Sequence, residues 1–137
     1  MSKREKKRDV PAWIMDYWLE KFGEPVGEWM KTLANYNPDF LESFVKTRQA
    51  VFDEGVLSPK TKELIILALH ISRGYDVGAI RHAKLGIRKG TFTTEEVNET
   101  ALLVAYSQGI LAYSKYGGHA SVKAAEEAEQ EQLKGSK

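Results

Sequence analysis

Apolar side chains recur every three to four residues along most of the chain, the spacing that gathers them on one face of an α-helix. Trp13, Ile14, Tyr17, Trp18 and Phe22 form the first stripe, closed by the segment Gly23 to Pro25. Val26, Trp29, Met30 and Leu33 form the second, broken at Asn37-Pro38, and Phe40, Leu41, Phe44, Val45, Val51 and Phe52 form the third, ending at Gly55. Ser58-Pro59 then opens a new helix: serine caps free N–H groups, and proline at the first helical position loses no bond it would have made. Gly74 is its stop. Between them Leu64 to Leu69 is apolar all round, which predicts a central, buried helix.

Asp76 to Lys89 predicts a further helix, stopped by Gly90. Thr93 and Glu96 have capping-box spacing, with Phe92 and Val97 placed as a hydrophobic staple. The helix they start is expected to run through Val104 to about Tyr116, where Gly117-Gly118 breaks it, and an Ala/Glu-rich helix follows from about Ala120. No stretch alternates as a strand would. The fold class expected is all-α, a single-domain bundle of about six or seven helices over residues 11–137, preceded by a basic and disordered tail over residues 1–10.

Composition narrows the function. With 137 residues and 42% hydrophobic content the chain can bury one real core. Its 20 basic and 19 acidic residues balance, so nucleic acid and anionic membrane are not expected partners, and the basic run Lys3 to Arg8 reads as a solvated end. The absence of cysteine excludes disulfides, thiolate catalysis and cysteine metal sites. No apolar segment follows the basic start and none nears the roughly 20 residues of a membrane span, so a cytoplasmic location is expected.

Chemistry concentrates in ELIILALHISRGYDVGAIRHAKLG, Glu63 to Gly86. Helical geometry puts Glu63, Leu67 and His70 on one side of the apolar helix. Burying either ionisable group alone is costly, so each needs a partner or must be neutral; for His70 a backbone carbonyl is the expected partner. On the next helix Gly78, His82 and Gly86 are spaced by four, and two helical glycines need a reason. Close packing is one; room for a small ligand beside the imidazole is the other. Glu63 and His82, on adjacent helices, would form a minimal acid/base device, the carboxylate fixing the tautomer of the ring. A metal site from His70, His82, His119 and Glu63 is the weaker alternative, because no pair has one-turn chelating spacing.

LSPKTKELIILAL, HAKLGIRKG from His82 onward, TTEEVNETALLVAYSQGILAY and the acidic helical tail together resemble the carboxymuconolactone decarboxylase family, which includes the alkylhydroperoxidase AhpD-like proteins. The resemblance covers about Asn37 to Glu127, and the upstream FGEPVGEWMKTLANYNPDFLESF is also similar to family members. Against the peroxidase branch, with its glutamate, Cys-x-x-Cys and histidine, the matching positions are Glu63, Tyr75, Gly78 and His82. The thiols are replaced and the proton-handling flank remains, so the resemblance implies no thiol peroxidase activity. Against the decarboxylase branch, the segment Tyr106 to Ala112 matches except that Leu111 stands where proline is usual. What the resemblance implies is a decarboxylase (a lyase) or isomerase, free of cofactor and metal, acting on a small carboxylated, lactone-type substrate. His82 would donate the proton, Glu63 would be its partner, and Tyr75, Gly78, Arg81, Tyr106 and His70 would bind substrate. It also implies a homo-oligomer, trimeric or hexameric. The alternative is a non-catalytic ligand-binding or scaffold member.

Overall fold

The computed structural model describes residues 7–135, and every regular element among them is an α-helix. The helices are α1 (Ala12–Phe22), α2 (Glu28–Tyr36), α3 (Pro38–Phe52), α4 (Pro59–Ser72), α5 (Asp76–Arg88), α6 (Thr94–Gln108), α7 (Leu111–Ser114) and α8 (Gly118–Gly135). They group into two compact units, Met1–Gly55 and Val56–Lys137. Most of the basic run Lys3 to Arg8 lies outside the described residues. The end of the expected tail is tied down: the Arg8 amide donates to Asn35 Oδ1 at 3.3 Å, and Val10 is buried.

In the first unit, α1 to α3 pack around Ile14, Met30, Leu41 and Val45, all fully buried. A chain of rings crosses these helices, Trp18 on Phe22, Trp18 edge-on to Trp29, and Trp29 edge-on to Phe44, with centroids 4.2, 5.9 and 5.8 Å apart. The Arg48 guanidinium lies over Phe22 at 4.4 Å and Phe52 at 4.3 Å and donates to the Tyr17 hydroxyl at 2.9 Å. Burial raises the Tyr17 phenol above its ordinary pKa, and Arg48 acts in the opposite sense. Of the six apolar residues that predicted α3, only Leu41 and Val45 are buried.

In the second unit, α5 packs along α8, while α4 rests against α5 and α6. Their shared core includes Leu67, Ile71, Ala79, Ala83, Ile87, Val97, Ala101 and Ala125. Alanine predominates among the core residues of α5 and α8, the pair that packs most closely, because small side chains let helices approach. Helix α6 starts as its sequence requires: the Thr93 hydroxyl accepts from the Glu96 amide at 3.2 Å, and Glu96 Oε1 accepts from the Thr93 amide at 3.0 Å. Phe92 and Val97 are both buried in the core.

Two expectations change. Helix α4 is not buried all round, since Ile65 and Leu69 are about half exposed while Leu67 and Ile71 face the core. Helix α6 does not reach Tyr116: it stops at Gly109, whose φ of +105° and ψ of 156° are open essentially to glycine alone, and the single turn α7 follows. Gly109 is flanked by good helix-compatible residues, so the apolar period runs through a break that the backbone makes.

The two helical glycines of α5 have different reasons. A methyl group at Gly86 would overlap the ring of Phe92, which is buried; at Gly78 it would overlap the ring of Tyr75, which is half exposed. Gly86→Ala is therefore expected to destabilise by about 1–3 kcal/mol, the usual range for overpacking a core. Gly78→Ala lets Tyr75 swing into water and gains about 1 kcal/mol of helix propensity, so it should be near neutral. Urea unfolding of the two variants checks this, and a Gly78→Ala variant as unstable as Gly86→Ala would contradict it.

Candidate functional site

The site is assembled by the two ends of α4 and the first half of α5. At the start of α4, Ser58 Oγ accepts from the Thr61 amide at 3.1 Å, and Lys60 pairs with Glu96 of α6 at 3.0 Å. That ammonium, followed by the Thr93 amide, holds the Glu96 carboxyl below its ordinary pKa. One turn into the helix stands Glu63. At the other end the Gly74 amide bonds the Ile71 carbonyl and the Tyr75 amide bonds the His70 carbonyl, at 3.1 and 2.9 Å. This is a Schellman turn, and Gly74 occupies its left-handed position with φ of +70°. Such a turn folds the residue after the glycine back over the last helical turn. Tyr75 accordingly lies edge-on to His70, ring centroids 5.3 Å apart.

Helix α5 leaves this turn alongside α4 and brings His82 to Glu63, Nδ1 to Oε2 3.3 Å, with about 19% of each side chain exposed. The His82 ring also meets that of His70, centroids 4.9 Å apart and planes 40° from parallel. Glu63, His82, His70 and Tyr75 thus form a continuous row. With the carboxylate accepting from Nδ1–H, His82 keeps Nε2 for proton exchange, the division of labour that a histidine acid/base needs. His70 is different. Burial, then the nearby charges of His82 and Arg73, lower its pKa below the ordinary histidine value, which favours its neutral form. Its Nδ1 is buried and has no hydrogen-bond partner among the described residues, where a backbone carbonyl was expected.

The remaining predicted residues are placed as follows. The space above Gly78 holds the Tyr75 ring, so no opening for a ligand exists there in this conformation. Arg81 is exposed on α5, about 100° round the helix from His82. Tyr106 on α6 is 91% exposed and cannot wall a pocket within this chain. His119 stands near the ring of Tyr113, centroids 6.2 Å apart, and among the described residues no three His, Asp or Glu side chains gather as a metal site would require. Sequence reasoning missed the contact between the two imidazoles. Its signal was available in Gly74, because a glycine at that position implies the turn that sets α5 beside the last turn of α4.

His70 makes stability depend on pH. Its folded-state pKa lies below the unfolded value of about 6.5, so the unfolded chain takes up a proton that the folded chain resists. The contribution of this site is complete above that value and is lost as pH falls through it towards the folded pKa. Urea midpoints should therefore drop between neutral pH and pH of about 5, and His70→Gln should flatten that slope. Equal slopes for the two proteins would show that another group is responsible.

A sequence profile of the Carboxymuconolactone decarboxylase family matches residues 38–115. Among solved structures, that of a provisionally assigned carboxymuconolactone decarboxylase from Burkholderia xenovorans LB400 superposes with a TM-score of 0.74. It shares 25% identity, and the alignment covers 90% of this chain and 92% of that one. No curated protein matches significantly. The profile takes in α3 to α7, and with them Glu63, His70, Tyr75, Gly78 and His82; it spans more than half of the sequence, and the chain belongs to the carboxymuconolactone decarboxylase family.

Proposed function

We propose that the protein is a cofactor-free decarboxylase or isomerase of a small carboxylated, lactone-type substrate, with His82 as proton donor and Glu63 as its partner. The observation that carries the reading is the Glu63–His82 contact at 3.3 Å between two helices, at the positions the family resemblance marks. In a decarboxylation, the carbon–carboxylate bond breaks and its electron pair moves onto the carbon left behind, where a lactone carbonyl in conjugation spreads the charge. Carbon dioxide leaves, and the carbon takes the proton of His82 Nε2–H. Glu63 keeps the ring oriented through Nδ1, and water returns the proton to Nε2. General acid transfer of this kind contributes about 10²–10⁴-fold to rate. A non-catalytic, ligand-binding role is the second reading, favoured by the Tyr75 ring that fills the space over Gly78.

Unsaturated lactone acids incubated with the protein in deuterium oxide, followed by NMR, test the first reading. Loss of the carboxylate with one deuteron on the adjacent carbon system is expected. His82→Gln should lower the rate by about 10²–10⁴-fold, and Glu63→Gln should lower it less while shifting the His82 tautomer in ¹⁵N spectra. Binding with no turnover would favour the second reading.

The proposal includes assembly into a trimer or hexamer. Ile65, Leu69, Leu102, Leu103 and Tyr106 on the adjacent helices α4 and α6 are exposed, apolar surface of the kind that a subunit interface covers. Light scattering at micromolar concentration should give a multiple of the 15.5 kDa chain, and a monomer would refute it.

A further inference from the structure

The Tyr75 ring does not pack as a core aromatic does. It is half exposed, and its hydroxyl makes no hydrogen bond among the described residues. Its ring nevertheless lies against Gly78, one of the two α5 positions that have no side chain, occupying the volume where a Cβ would stand. The same volume borders His70: a Cβ at Gly78 would be 3.3 Å from His70 Cε1, the ring atom bonded to both imidazole nitrogens. The tyrosine therefore lies against an imidazole whose Nδ1 is buried and has no hydrogen-bond partner among the described residues, with His82 as its other neighbour. A buried polar atom without a partner is rare and costly. A half-exposed side chain that lies edge-on against such a ring without bonding to it, and that can rotate into water, is a cover and not a partner.

We propose that Tyr75 is a gate over a ligand subsite floored by Gly78 and walled by His70 and His82. Rotation of the ring into solvent opens the subsite. A small ligand then places a carbonyl or carboxylate oxygen against His70, which as a neutral imidazole donates from Nδ1–H while His82 Nε2 faces the reacting part of the molecule. His70 becomes a residue that selects an acceptor oxygen, and the glycine is kept because any side chain would fill the floor. The inference rests on the proposed function for the identity of the ligand, but not for the existence of the subsite.

The probe is 5-oxotetrahydrofuran-2-carboxylate, a saturated lactone acid whose carboxylate has no conjugated carbonyl to receive its electrons, so that binding is read without turnover. Calorimetry and His70 ¹⁵N shifts are followed in the full chain. Closure of the gate reduces apparent affinity by the fraction of open molecules, so Tyr75→Ala should bind the probe at least about fivefold more tightly than the parent and move the His70 Nδ1 resonance. Tyr75→Phe keeps the ring and should bind as the parent does. Adding Gly78→Ala to Tyr75→Ala should cancel the gain. Unchanged affinity in Tyr75→Ala, an unmoved His70 resonance at saturation, or a gain that survives Gly78→Ala would each overturn the gate. If Tyr75→Ala shows the gain and no lactone acid is ever turned over, the subsite stands and the decarboxylase reading falls. If His82→Gln abolishes turnover while Tyr75→Ala leaves affinity unchanged, the reverse holds.

Discussion

The left-handed turn at Gly74 is the constraint on which the site depends. A helix ending in most other residues would have to pay for a positive φ, and the chain would leave α4 in another direction. With glycine there, the amides of residues 74 and 75 close on the carbonyls of Ile71 and His70, and Tyr75 is returned over the helix it has just left. Helix α5 begins at once, so its fourth and seventh residues, Ala79 and His82, come back along α4, Ala79 into the core and His82 to Glu63. One backbone angle thus sets the positions of two imidazoles, a phenol and a carboxylate relative to one another.

That arrangement divides the work electrostatically. Two imidazoles in contact do not both carry charge at low cost, and the environment assigns the roles. Glu63 stands at Nδ1 of His82, while among the described residues His70 has no carboxylate partner, and burial, then His82 and Arg73, lower its pKa and favour its neutral form. The row ends in Tyr75, wet on one side, which makes it the place where solvent and the buried imidazoles are separated by a single ring.

Family membership sets what has been replaced. The two positions where the peroxidase branch carries thiols hold Tyr75 and Gly78, and these two residues fit one another, the ring of one lying where the side chain of the other would be. The pair acts as a packed unit beside the retained Glu63 and His82, and whatever the protein does must work without sulfur chemistry.

Helix existence was legible in the sequence because amphipathic period, proline and caps are local properties. Ser58-Pro59, the Thr93–Glu96 box and the glycine stops at 23, 74 and 90 all do in the structure what their local chemistry implies. The Glu63–His82 pair was legible too, as spacing on two successive helices joined by a short turn. What only the tertiary structure decided were matters of neighbours. Whether the apolar run Leu64 to Leu69 is covered all round depends on which helices pack beside it, and among the described residues Ile65 and Leu69 are left about half exposed. The break at Gly109 is a backbone choice that the continuous apolar period of its flanks conceals. The reason for Gly78, and the unpartnered nitrogen of His70, depend on where one tyrosine ring comes to rest, and no period or motif encodes the position of a side chain against a residue that has none.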